Sequence, residues 1–184
     1  MPDSAAPAPI ETLLQAHART RALLRTLAAW AAQAPADPAP PMRRRDELIA
    51  WFDGPAPAQH HLLDDVLFPA FIESMAGSDA VCLKGMTQGL SAQGARLQHR
   101  WHGTIRAQLM AAAPMRDTIV AWAEDYVDYL QRADEELLPM AERLLDDDAM
   151  ARLREACAAL PPWIGGRDDT GNGATGADTD SRQP

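Results

Sequence analysis

Two histidines followed one helical turn later by two aspartates stand in QHHLLDDVLFPAF, residues 59–71. The spacing makes His60 and Asp64, and likewise His61 and Asp65, i,i+4 neighbours on a helix. An imidazole and a carboxylate on one face are donors with which helical bundles hold metal ions. A metal needs more than two of them, so other parts of the chain must supply the rest.

The motif has an echo. Residues 64–69 read DDVLFP and residues 134–139 read DEELLP. In both, acids lead through apolar residues into a proline set inside an otherwise helical pattern. Such a proline costs a helix about 3 kcal/mol unless its surroundings absorb the kink. Its recurrence therefore points to two helices with equivalent roles. The second copy has no histidine one turn before its acids: Tyr129, Leu130 and Gln131 stand there, and no histidine occurs after residue 102.

Several helices must position these side chains. Ile10, Leu13, His17, Thr20, Leu24 and Leu27 follow the spacing of a buried helical stripe over residues 10–32. The stretch APADPAPP, 34–41, breaks it and forms a loop. A second helix starts near Arg43, is interrupted at Gly54-Pro55-Ala56-Pro57 and resumes to about Met75, before the stop at Gly77. A third covers 79–112, with Leu90, Gly94, Leu97, Trp101 and Ile105 facing inward, His102 at the stripe's edge and His99 outside it. A fourth runs from about 115 to 145, and a short fifth from 147 to 160. The reading is an all-α, antiparallel up-and-down four-helix bundle over residues 9–160, with a flexible stretch at 1–8. Residues 165–184 hold no large apolar side chain and are expected to be a disordered tail.

Composition narrows the function. A chain of 184 residues suits one domain, and a net charge of −9 argues against nucleic acid as a partner. No apolar run approaches the roughly 20 residues that cross a bilayer, and MPDSAAPAPIE lacks the pattern of a signal peptide. Cys82 and Cys157 are isolated, with no CxxC pair, so neither a disulfide framework nor a thiolate zinc site is indicated and a reducing, cytoplasmic setting fits best. Phosphate-binding and dinucleotide-binding loops are missing too.

The chain resembles the hemerythrin-like, or HHE cation-binding, family over about residues 9–160. The resemblance rests on PIETLLQAHAR, HHLLDDVLFP, LSAQGARLQHRW and YLQRADEELLPMAERLL. It implies a four-helix bundle around a non-haem di-iron centre, in proteins that bind oxygen or sense oxygen, iron or nitric oxide. The implied ligands are a histidine from each of helices 1 and 3, and a His-x3-carboxylate from each of helices 2 and 4. His17 matches the first, and His60 with Asp64 the second; counting back from Pro69 instead selects Gln59 and Leu63. The third histidine falls on Gly94 and the fourth on Tyr129 or Leu130, whose carboxylate is Asp134 or, counted from Pro139, the unsuitable Ala133.

Two readings of these departures stand side by side. In one, His17, His60 and Asp64 hold a single iron, with Tyr129 adding a phenolate and Asp134 a carboxylate. In the other, metal binding is lost and the fold kept as a scaffold for a protein partner or a small apolar ligand. His60 and Asp64 would then form an i,i+4 hydrogen-bonded pair, and His17 would bond a neighbour such as Tyr129. An enzyme using iron for oxygen or nitric oxide chemistry is a third expectation, though half the ligands of a two-iron mechanism are missing.

Overall fold

The computed structural model describes residues 8–33, 42–74, 78–111 and 113–161. The proline-rich stretch 34–41, most of the N-terminal eight residues, Trp163 and the tail at 165–184 lie outside the described residues. The first helix, α1, is Pro9–Ala32. The second, α2, spans 42–74, as Met42–Asp53, Pro55–Leu62, a wide π-type turn at Leu63–Leu67 and Phe68–Ser74. The third, α3, spans 78–108, as Ser78–Arg100, a π-turn at Trp101–Ile105 and Arg106–Gln108. The fourth, α4, spans 116–144, as Arg116–Arg132, a π-turn at Ala133–Leu137 and Leu138–Leu144. The short α5 is Asp147–Ala158. Among the described residues there is no strand.

Cross-helix contacts fix the topology. Thr20 of α1 meets Trp51 of α2, while Asp53 of α2 meets Trp101 of α3. The Trp122 indole of α4 donates to the Leu97 carbonyl of α3. His17 of α1 meets Asp134 near the end of α4, and the α1 carbonyls at Trp30 and Gln33 meet Arg116 at its start. Each neighbouring pair is therefore antiparallel, the up-and-down arrangement expected. The most extensive helix pairing is α1 with the Arg116–Arg132 part of α4.

Local chemistry explains the breaks. The interruption expected over four residues of α2 is confined to Gly54, because Pro55 and Pro57 fall in the first turn of the resumed helix. There the backbone N–H groups have no intrahelical acceptor, so a proline loses nothing. The same logic applies to Pro69 and Pro139. Each follows a π-turn closed by an i→i−5 bond, Phe68 N–H to Leu63 O in α2 and Leu138 N–H to Ala133 O in α4. The proline then sits in the first turn of a restarted helix, so the kink is absorbed. The helix expected to run to residue 112 ends at Gln108 instead. Met110 and Ala111 turn tighter, with i→i−3 bonds to Ala107 and Gln108.

Two helix ends are met by side chains. Asp146 accepts a bond from the Ala149 N–H at 2.8 Å and caps α5. The Arg116 guanidinium donates to the carbonyls of Trp30 and Gln33, both at 2.9 Å, and lies 5.1 Å from the centre of the Trp30 ring. A cation at the carbonyl end of α1 also complements its dipole.

Inside, the sequence stripes face the core as expected. All six stripe residues of α1 are buried, and Phe52, Trp101, Trp122 and Tyr126 form a ring cluster with centroids 5.0–5.5 Å apart. No helix among the described residues is long and apolar enough to cross a membrane.

The α1 stripe makes a sharp contrast testable. Leu13 is fully buried and Leu14, its neighbour in sequence, is 40% exposed. Leu13→Ala should cost about 2–5 kcal/mol of stability in urea unfolding. Leu14→Ala should stay within about 1 kcal/mol, and equal effects would contradict the placement of this face.

Candidate metal centre

His17 and Asp134 are brought together by the α1–α4 pairing. The His17 Nδ1–H donates to Asp134 Oδ1 at 2.5 Å, with the imidazole buried and the carboxylate only 12% exposed. Arg21 lies one turn beyond His17 on α1 and donates to the other oxygen, Asp134 Oδ2, and to the Leu130 carbonyl at 3.4 Å. Burial by itself would raise the Asp134 pKa. The hydrogen bond and charge of His17, followed by those of Arg21, outweigh it and hold the carboxyl below its usual value.

His60 lies across the core and makes different contacts. Its Nε2 is hydrogen-bonded to the Tyr126 hydroxyl at 2.8 Å, and its ring stacks on Tyr129 with centroids 4.8 Å apart. Burial, then the nearby charges of His17 and His61, lowers its pKa from 6.5 to about 3. It is therefore a neutral imidazole at ordinary pH. Its other nitrogen faces α3: a Cβ added at Gly94 would lie 2.6 Å from Nδ1 and 3.5 Å from the Tyr129 ring. Gly94 is glycine because the His60 ring occupies the space a side chain would need.

Asp64 does not pair with His60. The π-turn that starts at Leu63 breaks the regular i,i+4 register between them. Asp64 is half-buried, and burial raises its pKa against the opposing hydrogen bond from Ser91; the charge of Asp65 adds to the rise. Tyr129 is pushed above its ordinary pKa by burial and then by the Asp64 charge. Tyr126 is raised as well, by burial and by Tyr129. Both phenols therefore stay protonated.

Two expected pairings are thus corrected. His60 bonds to Tyr126 and not to Asp64, because the wide turn displaces the acid. His17 bonds to Asp134 and not to Tyr129, whose ring is taken up by His60. The alternative register at Gln59 and Leu63 is also inward, since both are buried. His61, Asp65, His99 and His102 are exposed, and of these His61 and Asp65 act on the centre only through their charge.

The residues that sequence reasoning missed are Arg21, Ser91 and Tyr126. Two of them carry a signal: Arg21 is i+4 from His17, and Tyr126 lies one turn before Tyr129 on the stripe of Ile119 and Trp122. Ser91 has none.

As a metal site the set fits poorly. No three histidine, cysteine, aspartate or glutamate side chains among the described residues stand together as a metal-binding group. A bound ion would have to displace a phenol from His60 and a guanidinium from Asp134.

Two measurements follow from this geometry. Gly94→Ala should destabilise the fold by about 1–3 kcal/mol through overpacking. Most of that cost should vanish in the His60→Ala background, a non-additivity read by equilibrium unfolding; additive losses would show that the two do not meet.

The pH dependence follows from His60. In the unfolded chain its imidazole takes a proton below about pH 6.5, whereas the folded one does so only near 3. The unfolded state binds more protons across that window, so stability falls with falling pH, at up to ~1.4 kcal/mol per unit. Urea midpoints from pH 7 to 4 should fall less steeply for His60→Gln; parallel curves would contradict a buried neutral imidazole.

The described hemerythrin HHE cation binding domain matches residues 8–141. No curated protein and no solved structure matches the chain. The match covers both acidic–proline repeats and the helices that carry His17, His60, Gly94 and Asp134. By that match the chain belongs to the hemerythrin HHE cation-binding domain family.

Proposed function

We propose that this chain is a metal-independent member of that metal-binding family, a hemerythrin-like scaffold that acts by binding a partner through its surface. The observation that carries the reading is the closure of His60. Its Nε2 is engaged by Tyr126, one face is stacked on Tyr129, and its remaining nitrogen lies against Gly94. The space where the family resemblance places a third histidine is filled by the second.

The iron reading uses the same residues, His17, His60, Asp64, Tyr129 and Asp134. In its favour, His17 is close enough to His60 to depress its pKa, so two imidazoles do share the centre. Against it, His17, His60 and Asp134 already have internal hydrogen-bond partners, and the Tyr129 ring is stacked on His60. Oxygen or redox sensing and iron-dependent catalysis would both need that centre.

A cytoplasmic setting accords with two free cysteines, Cys82 exposed and Cys157 buried. Burial raises the Cys157 thiol to about 11, so it is unreactive at neutral pH. Binding then falls to the outside of the bundle. An open groove of about 630 Å³ lies between the end of α2 and α5, lined by Val66, Pro69 and Ala156 and by Asp65, Glu155 and the ion pair of Glu73 with Arg152. Its charge suits a partner that presents basic and small apolar groups.

Metal analysis of the purified full chain after growth with added iron tests this reading. The expected result is no stoichiometric iron or zinc, with a melting temperature unmoved by added Fe(II). Stoichiometric metal that disappears in His60→Ala would overturn it and restore the iron reading.

A further inference from the structure

We infer that Arg21 is the resident cation of this site, a guanidinium that stands on Asp134 where a metal would and so decides against a divalent ion there. The inference rests on the metal-independent reading and deepens it by naming the residue responsible.

Asp134 is the one acid of the centre whose two oxygens are both engaged across helices, Oδ1 by His17 and Oδ2 by Arg21. Arg21 is further fixed by its bond to the Leu130 carbonyl, one turn before Asp134 on α4. The guanidinium thus bridges α1 and α4 as an interhelical ion would, with its positive charge covalently attached. A divalent cation on the same carboxylate would face that charge at close range, in surroundings where only 23% of the Arg21 side chain and 12% of Asp134 are exposed. Screening by water is weak there, so the repulsion persists.

Position 21 also has a favourable geometry. It is i+4 from His17 on α1, and the two side chains converge on one carboxylate. A histidine at 21 would therefore complete a set of two imidazoles and a carboxylate, enough for a divalent metal with water in its open positions. The His60–Tyr126–Tyr129 packing need not move.

Cobalt(II) is the probe, because its visible absorption reports imidazole and carboxylate coordination directly. Arg21→His should bind one Co(II) per chain, at least about 100-fold more tightly than the natural chain. Arg21→His combined with Asp134→Asn should not. Arg21→Lys, which keeps the positive charge, should exclude cobalt as the natural chain does. If Arg21→His does not fold, Arg21→Gln serves in its place. It removes the charge and keeps hydrogen-bonding capacity, and Co(II) should raise its melting temperature but not that of Arg21→Lys.

Failure of both the histidine and the glutamine variants to respond to cobalt would overturn the inference. So would tight cobalt binding by the natural chain that His17→Ala abolishes. Metal bound by the natural chain and lost in His60→Ala, but retained in His17→Ala, would instead overturn the metal-independent reading alone.

Discussion

A carboxylate held mostly out of water between two helices must be answered by hydrogen-bond donors and positive charge. Left unpaired, a buried charge costs several kcal/mol. Asp134 is that carboxylate, and His17 and Arg21 answer it from α1. The pairing joins the first helix to the fourth, the two with the most extensive contact in the bundle. In a hemerythrin-type bundle a metal can serve the same electrostatic need. Here the need is met by side chains, so the interior holds a fixed internal salt bridge.

The second half of the centre has a different physical solution. His60 is buried without a countercharge, and it remains neutral because burial, and then the charges of His17 and His61, disfavour its protonated form. Tyr126 and Tyr129 join it to the ring cluster of Phe52, Trp101 and Trp122, so a polar residue becomes part of the packed core. The centre is thereby divided into a charged edge at Asp134 and a neutral aromatic interior at His60. A centre built from the ligand set that the family resemblance implies would have required donors from both halves to converge.

How much of this was readable in the sequence depends on the type of interaction. The α1 stripe, the inward Gly94 and the equivalence of DDVLFP with DEELLP follow from helical spacing and from a repeated proline, and each has its counterpart in the fold. The pairing of His60 was misread for a definite reason. Periodicity assumes an unbroken α-helix, and the π-turn at Leu63–Leu67 alters the angle between His60 and Asp64. Arg21 was overlooked because one-dimensional reading sorts arginines to the surface, while this one spans α1 and α4 through Asp134. Ser91 meets Asp64 only through the packing of α2 on α3, which no local pattern specifies. The family's ligand pattern picked out side chains that are buried or half-buried and did not describe their contacts.

The wide turns have a meaning of their own. Each is a place where a helix accommodates one residue more than its regular spiral would hold. The surplus is absorbed locally, so Phe71 beyond the first turn and Leu138 and Ala141 beyond the third still face inward. With such turns in α2, α3 and α4, the bundle resembles a set of rods with built-in slack, in which the two halves of a helix need not share one phase. The sequence on either side of a wide turn is therefore free to drift in register, provided each half keeps its own apolar face toward the core.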